Sequence, residues 1–149
     1  MAKGEQKPTR NKHLAGITFS IARIDLTNSV KKIPSTLNSQ EFKDFRFEVE
    51  TDFKLFPTTQ IIQIIISYDF YLLGDLLLSM QVENDFKISN FADVVINNDI
   101  PDKEFLIFLV GISLNHSRGI QSVITKDTPI SNFYIPPISR DKILNKFKK

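Results

Sequence analysis

Residues 45–88 read FRFEVETDFKLF, PTTQ, IIQIIISYDFYLLG and DLLLSMQVENDFKI in unbroken succession. In the first piece Phe45, Phe47, Val49, Phe53 and Leu55 alternate with Arg46, Glu48, Glu50, Asp52 and Lys54. A strand sends successive side chains to opposite faces, so this alternation predicts a half-buried antiparallel strand. Pro57-Thr58-Thr59 ends it. A third strand is expected from Gln60 to Leu72, with Ile62, Ile64, Ile66, Tyr68, Phe70 and Leu72 on one parity. Its other parity also carries Ile61, Ile65 and Tyr71, which predicts apolar cover on both faces. Gly74-Asp75 has hairpin chemistry. Leu76, Leu78, Met80, Val82, Phe86 and Ile88 then define a fourth strand.

Upstream, Ile17, Phe19 and Ile21 share one parity, while Ile24 and Leu26 sit on the other. A phase slip inside one strand predicts a bulge or bend. Val30–Ser35 reads as a basic exit containing Pro34. Downstream the period changes. Ile100-Pro101-Asp102 has the composition of a helix start. Phe105, Phe108, Leu109, Ile112, His116, Ile120, Val123 and Ile124 then follow a spacing near 3.6 up to about Asp127. Gly111 and Gly119 each weaken a helix interior by about 1 kcal/mol, so a bend or two helices in series are expected. Thr128-Pro129 ends the helix, Pro136-Pro137 stiffens an extended segment, and Ser139-Arg140-Asp141 opens a short last helix with Ile143, Leu144 and Phe147. Strands followed by helices predict an α+β fold: a four-stranded antiparallel sheet with C-terminal helices packed on one face. The expected organisation is a disordered basic arm over residues 1–13, one domain over 14–147, and a short basic tail to 149.

The chain has 149 residues, a length suited to one domain. Net charge is +2, unevenly spread. Residues 1–13 hold four basic side chains and one acidic, and residues 140–149 hold five and one, so the body between them is acidic. Nucleic-acid binding wants a basic stripe on the folded body, and none is expected. The chain has no cysteine and two histidines. That inventory excludes a disulfide framework and predicts no metal site and no cofactor. The longest apolar runs are far too short to span a bilayer. No apolar run follows the basic start, so no export signal is read there. A cytoplasmic location is expected.

Catalytic signals are poor. Ser113, His116 and Ser117 are neighbours on the long helix, but their spacing does not align a nucleophile with a base, and no orienting carboxylate is evident. The expectation is a helix-face histidine and no enzyme. Glu48, Glu50 and Asp52 form an acidic row, read as a solvated strand face. No glycine-rich phosphate loop exists. The stronger feature is thirteen phenylalanines without a tryptophan. One sheet with a few helices has a limited interior, so excess apolar surface must meet another subunit or an apolar ligand.

The stretch LNHSRGIQSVITKDTPISNFYIPPI (114–138) resembles the late region of SecB-like protein-export chaperones. There an Arg on the second helix precedes a Pro-containing turn, and a proline-bearing extended segment leads to the last helix. Residues 17–25, with the Arg23-Ile24 step, resemble the first strand of that family. The resemblance implies an ATP-independent chaperone that keeps unfolded polypeptides from aggregating by holding them in apolar grooves, with export as one use. It also implies a homotetramer built as a dimer of dimers. Phe45, Phe47, Val49 and Phe53 are the implied client-binding residues. The alternative is a dedicated module of the same fold for one partner, such as an antitoxin, or for an apolar small molecule, unlinked to the SecA motor. Family members dock SecA through acidic residues on the first and fourth strands. The matching positions here are Asn28, Lys32 and Gln81, none of them acidic. Either docking is rebuilt, through Glu83 or Asp85 and the tail Lys146–Lys149, or SecA is not a partner.

Overall fold

The computed structural model describes residues 16–37, 44–133 and 135–147. The arm expected over 1–13 and the last two lysines lie outside them. The elements are β1 (Phe19–Lys31), β2 (Phe45–Phe56), β3 (Ile61–Leu72), β4 (Asp75–Ile88), α1 (Phe91–Val94), α2 (Lys103–Ile124) and α3 (Arg140–Lys146). The expected α+β architecture is present. The sheet is antiparallel throughout, in the order β1-β4-β3-β2. β2, β3 and β4 form a meander, and β1 lies beside β4. β1 and β2 are therefore the two edges. The β3–β4 turn puts Leu73 at φ 50° and Gly74 at φ 83°. A two-residue hairpin loop needs positive φ at both centres, which glycine meets freely and Leu73 meets at a steric cost.

The phase slip read in β1 is a bulge. Register shifts fall between Ile21 and Arg23 and again between Leu26 and Asn28. The first keeps Phe19 and Ile21, then Ile24 and Leu26, on the same side of the sheet, opposite Ile88, Phe86, Asn84 and Val82. Without the extra residue Ile24 and Leu26 would point away from the helices. β1 is also longer than its sequence suggested, since pairing continues through Ser29, Val30 and Lys31.

The helices cover one face. Ile62, Ile64, Ile66, Tyr68 and Phe70 of β3, with Leu78, Met80, Val82, Phe86 and Ile88 of β4, are all buried there. Fully burying a side chain of this size contributes about 1.5–3 kcal/mol, so this double row dominates stability. The other face is polar and open. It presents Gln63, Ser67 and Asp69 of β3 beside Glu83, Gln81 and Ser79 of β4. This corrects the expectation that β3 is apolar on both faces. Ile65 is buried, but between the register partners Asp52 and Glu83. Ile61 and Tyr71 are half-buried near the strand ends.

α2 is capped by Asp102, whose Oδ1 accepts from the Phe105 N–H at 3.1 Å. It runs as one helix of 22 residues, so of the two expected outcomes, a bend or two helices in series, the second does not occur. Its buried stripe also differs from the apolar spacing. Ser113, Ser117 and Gln121 face the sheet along with Phe105, Leu106, Leu109, Val110 and Leu114. The serine hydroxyls donate back to the Leu109 and Ser113 carbonyls at 2.8 and 3.0 Å. Small, internally satisfied side chains let the helix lie close to the sheet. α3 is capped by Ser139 through the Lys142 N–H, as its sequence predicts.

Candidate functional site

The helix layer leaves a cleft along each edge of the sheet. The first follows β2. Phe45, Phe47, Val49 and Phe53, the residues singled out in the sequence, all lie on the helix side of this edge strand, opposite Leu72, Phe70, Tyr68 and Ile64. Phe47, Val49 and Phe53 are half-buried, and Phe45 is 42% exposed. They are not one continuous wall. Phe45 and Phe47 join Tyr68, Phe70 and Phe133 in an aromatic cluster with centroid separations of 5.0 to 6.2 Å. Phe47 and Val49 line a hollow of about 480 Å³ with Ile138, Lys142 and Ile143. Phe53 and Leu55 line another of about 470 Å³ with Phe147, where the Phe53 and Phe147 rings meet edge to face at 5.1 Å. Lys146 borders both hollows.

Phe133, against Phe45, and Ile138 border this cleft, and α2 anchors the backbone at Phe133 and Ile135. The Gln121 amide donates to the Phe133 carbonyl at 2.7 Å and accepts from the Ile135 N–H at 3.0 Å. Arg118 Nε donates to the Ile135 carbonyl at 2.9 Å. The side-chain amide thus replaces the backbone ladder that an extended segment would have inside a sheet. Gln121 also lies 3.5 Å from the Tyr68 hydroxyl, whose burial raises its pKa well above the ordinary phenol value.

The second cleft lies between β1 and α2. Ile24, Leu26, Ile120, Val123 and Ile124 line a groove of about 590 Å³, with Asn115, His116 and Gly119 completing it. No charged side chain is among them. His116 Nδ1 lies 2.8 Å from Asn84 Oδ1. The Asn84 amide is oriented by its own bond to the Ile64 carbonyl at 3.2 Å, so Oδ1 accepts and Nδ1 carries the imidazole proton. Desolvation lowers the His116 pKa, which keeps the ring neutral at physiological pH. The same edge exposes Ile21, Ile24, Phe108 and Val123, the last 75% exposed. Phe108, Ile112, Asn115, Gly119 and Val123 follow one another up one uncharged side of α2.

Sequence reasoning missed this groove because it placed the apolar excess on β3. The signal was present in α2, where no charged residue occurs from Phe105 to Ser117. A surface helix carries charges on its outer side, so an uncharged one needs cover. His116 occupies a helix face, as expected. The hydroxyls of Ser113 and Ser117 are committed to helix carbonyls.

On the open face of the sheet Arg23 gathers three carboxylates at 2.8 Å each: Asp25, Glu83 and Asp85. Hydrogen bonds to Asp85 and Glu83 raise the guanidinium pKa further. Gln63 adds a bond to Asp85 at 2.9 Å. Asn28 and Gln81 face each other on the same side. Glu83 and Asp85, the acidic residues that would rebuild a motor dock, are therefore engaged by Arg23.

Among the described residues no helix is long and apolar enough to cross a membrane, and no group of His, Cys, Asp and Glu is placed to hold a metal ion.

No family model and no curated protein matches this chain. Among solved structures, a SecB-like chaperone of Mycobacterium tuberculosis, in complex with a ChAD peptide from the HigA1 antitoxin, superposes with a TM-score of 0.51 at 11% identity. The match covers 80% of this chain and 90% of that one. The fold is thus SecB-like: a four-stranded antiparallel sheet with helices on one face.

Proposed function

We propose that this protein is an ATP-independent chaperone that holds extended, apolar stretches of unfolded polypeptide in the β2 cleft. The observation that carries the reading is the open row of exposed Phe45 and half-buried Phe47, Val49 and Phe53, roofed only in part by Ile138, Ile143 and Phe147. β2 is an edge strand with its outer backbone groups free of sheet partners, so a client can pair with it while placing alternate side chains in the two hollows. Apolar burial is non-directional, which suits clients of varied sequence. The SecB-like neighbour was solved with a bound peptide, which supports a polypeptide as the ligand class.

The β1–α2 groove has a different duty in this account. A long edge strand beside an uncharged helix face is covered by a second copy of the chain, and pairs of such dimers build the tetramer. Gly119 leaves open space where a side chain would stand, room for exposed apolar side chains such as Val123 from the partner. The engaged state of Glu83 and Asp85, with neutral Asn28 and Gln81, supports a protein that does not serve the SecA motor.

The neighbour's antitoxin peptide favours a second reading, a module dedicated to one partner. Light scattering by chemically denatured, unrelated clients diluted into buffer without nucleotide tests both. A chaperone suppresses aggregation of several clients at near-stoichiometric tetramer. A dedicated module protects none of them, and that result overturns the general reading.

A further inference from the structure

Gly16 before β1, Asn90 and Asp93 at α1, and Asp102, Lys103 and Glu104 at the start of α2 surround a cavity of about 570 Å³. It is separate from both clefts at the sheet edges. Two acceptors in its lining residues, Asn90 Oδ1 and Asp102 Oδ2, are buried without a hydrogen-bond partner. Among the described residues no other buried side-chain oxygen or nitrogen is left in that state. Each of the two residues commits its other side-chain atom to the fold. Asn90 Nδ2 donates to the Gly16 carbonyl at 3.2 Å, and Asp102 Oδ1 caps α2 through the Phe105 N–H. A buried acceptor without a donor is costly, and a carboxylate oxygen more so than an amide one. Two of them in one cavity call for a single donor-rich group. The local charges give its sign. Lys103, the one cation of the lining, is engaged by Asp99 and by the Ile100 carbonyl, and Glu104 is engaged by Arg140. Asp93 and Asp102 have no counter-ion among the described residues.

The nearest source of a cationic donor is the chain itself. Residues 1–15 lie outside the described residues, and the chain enters them from Gly16, on the rim of this cavity. That exit is held in place. Beside the Asn90–Gly16 bond, the Ser89 N–H and Oγ both donate to the Thr18 carbonyl, at 3.0 and 2.9 Å. Arg10 and Lys12 precede Gly16 by six and four residues, spans of at most about 20 and 14 Å when extended. A tether this short gives an effective concentration on the order of millimolar.

We propose that this cavity is the seat of the basic stretch Arg10-Asn11-Lys12, whose guanidinium or ammonium group donates to Asn90 Oδ1 and Asp102 Oδ2 together. A guanidinium presents five donors in a planar fork and an ammonium three, so either satisfies both oxygens. Seated there, the arm ties the approach to β1 to the first turn of α2. Neutralising Asp102 removes the charge-assisted bond, which is stronger than a neutral one. Asp102→Asn does this and keeps the cap of α2, because asparagine caps a helix as well as aspartate does.

The test is limited digestion of the full chain by trypsin at low salt, on wild type and Asp102→Asn, with circular dichroism confirming the fold. Mass spectrometry compares cleavage after Arg10 and Lys12 with cleavage after Lys3, which belongs to the same arm but not to the seated stretch. A hydrogen bond to a charged group is worth about a factor of ten, so that ratio should rise about tenfold from wild type to Asp102→Asn. High salt should raise it in wild type as well. An unchanged ratio in a folded Asp102→Asn protein overturns the proposal. Should that variant not fold, wild type decides, and a ratio independent of salt overturns the proposal.

Discussion

Replacing Gln121 by leucine is expected to destabilise the fold by about 3 kcal/mol, although the volume hardly changes. Gln121 is 1% exposed. Its amide serves the Phe133 carbonyl and the Ile135 N–H together, and Ile135 is itself buried. Leucine leaves both backbone groups without that partner, and an unsatisfied buried group costs about 1–3 kcal/mol. The loss also has a local signature. Phe133 packs on Phe45 and Ile138 lines a hollow of the β2 cleft, so the variant should lose client protection at temperatures where its sheet is intact. Urea unfolding followed by far-UV circular dichroism reads the first effect, and light scattering reads the second. A midpoint unchanged from wild type would show that the segment is held by Phe133 and Ile135 packing alone.

The second large effect is on assembly. Val123 is 75% exposed in the single chain, so Val123→Asp should change its stability by no more than about 0.5 kcal/mol. In the proposed interface the same change buries an unpaired carboxylate from each copy. The effective penalty for such a charge is several kcal/mol, and two of them weaken association on the order of 1000-fold or more. Sedimentation velocity at micromolar protein should find a folded monomer. An oligomer of unchanged mass would place the subunit contact elsewhere.

The elements most legible in the sequence were those with one buried face. β2 alternates cleanly because its outward side meets water along its whole length, and the parity of β3 and β4 follows from the same cause. The slip between Ile21 and Ile24 gave the first bulge of β1, since a one-residue insertion is the only way to keep both on the helix side. The second bulge, at Thr27, left no trace because Thr27, Asn28 and Ser29 are polar on either face. α2 was misread in phase. Its apolar residues at Phe108, Ile112, Ile120 and Val123 follow a helical period, yet the side against the sheet contains Ser113, Ser117 and Gln121. A helix apolar on two sides has no unique stripe, and the hydrogen bonds that bury those polar residues are tertiary facts. For the same reason Gln121 and Asn84 could not be singled out: each is defined by a partner distant in sequence. Parity put the four β2 residues on one strand face, which the fold turns toward the helices, but it could not divide them between the aromatic cluster and the two hollows.

The central claim is that unfolded polypeptide is held on the helix side of β2. Photo-crosslinking tests it directly, with a photoreactive phenylalanine analogue at Val49 in one protein and at Asn28, on the open face of β1, in another. Each is mixed with a chemically denatured client and irradiated. The account predicts a covalent adduct from position 49, lost on competition with an excess of a second unfolded client, and none above background from position 28. Adducts of equal yield from both positions, or from position 28 alone, would contradict it.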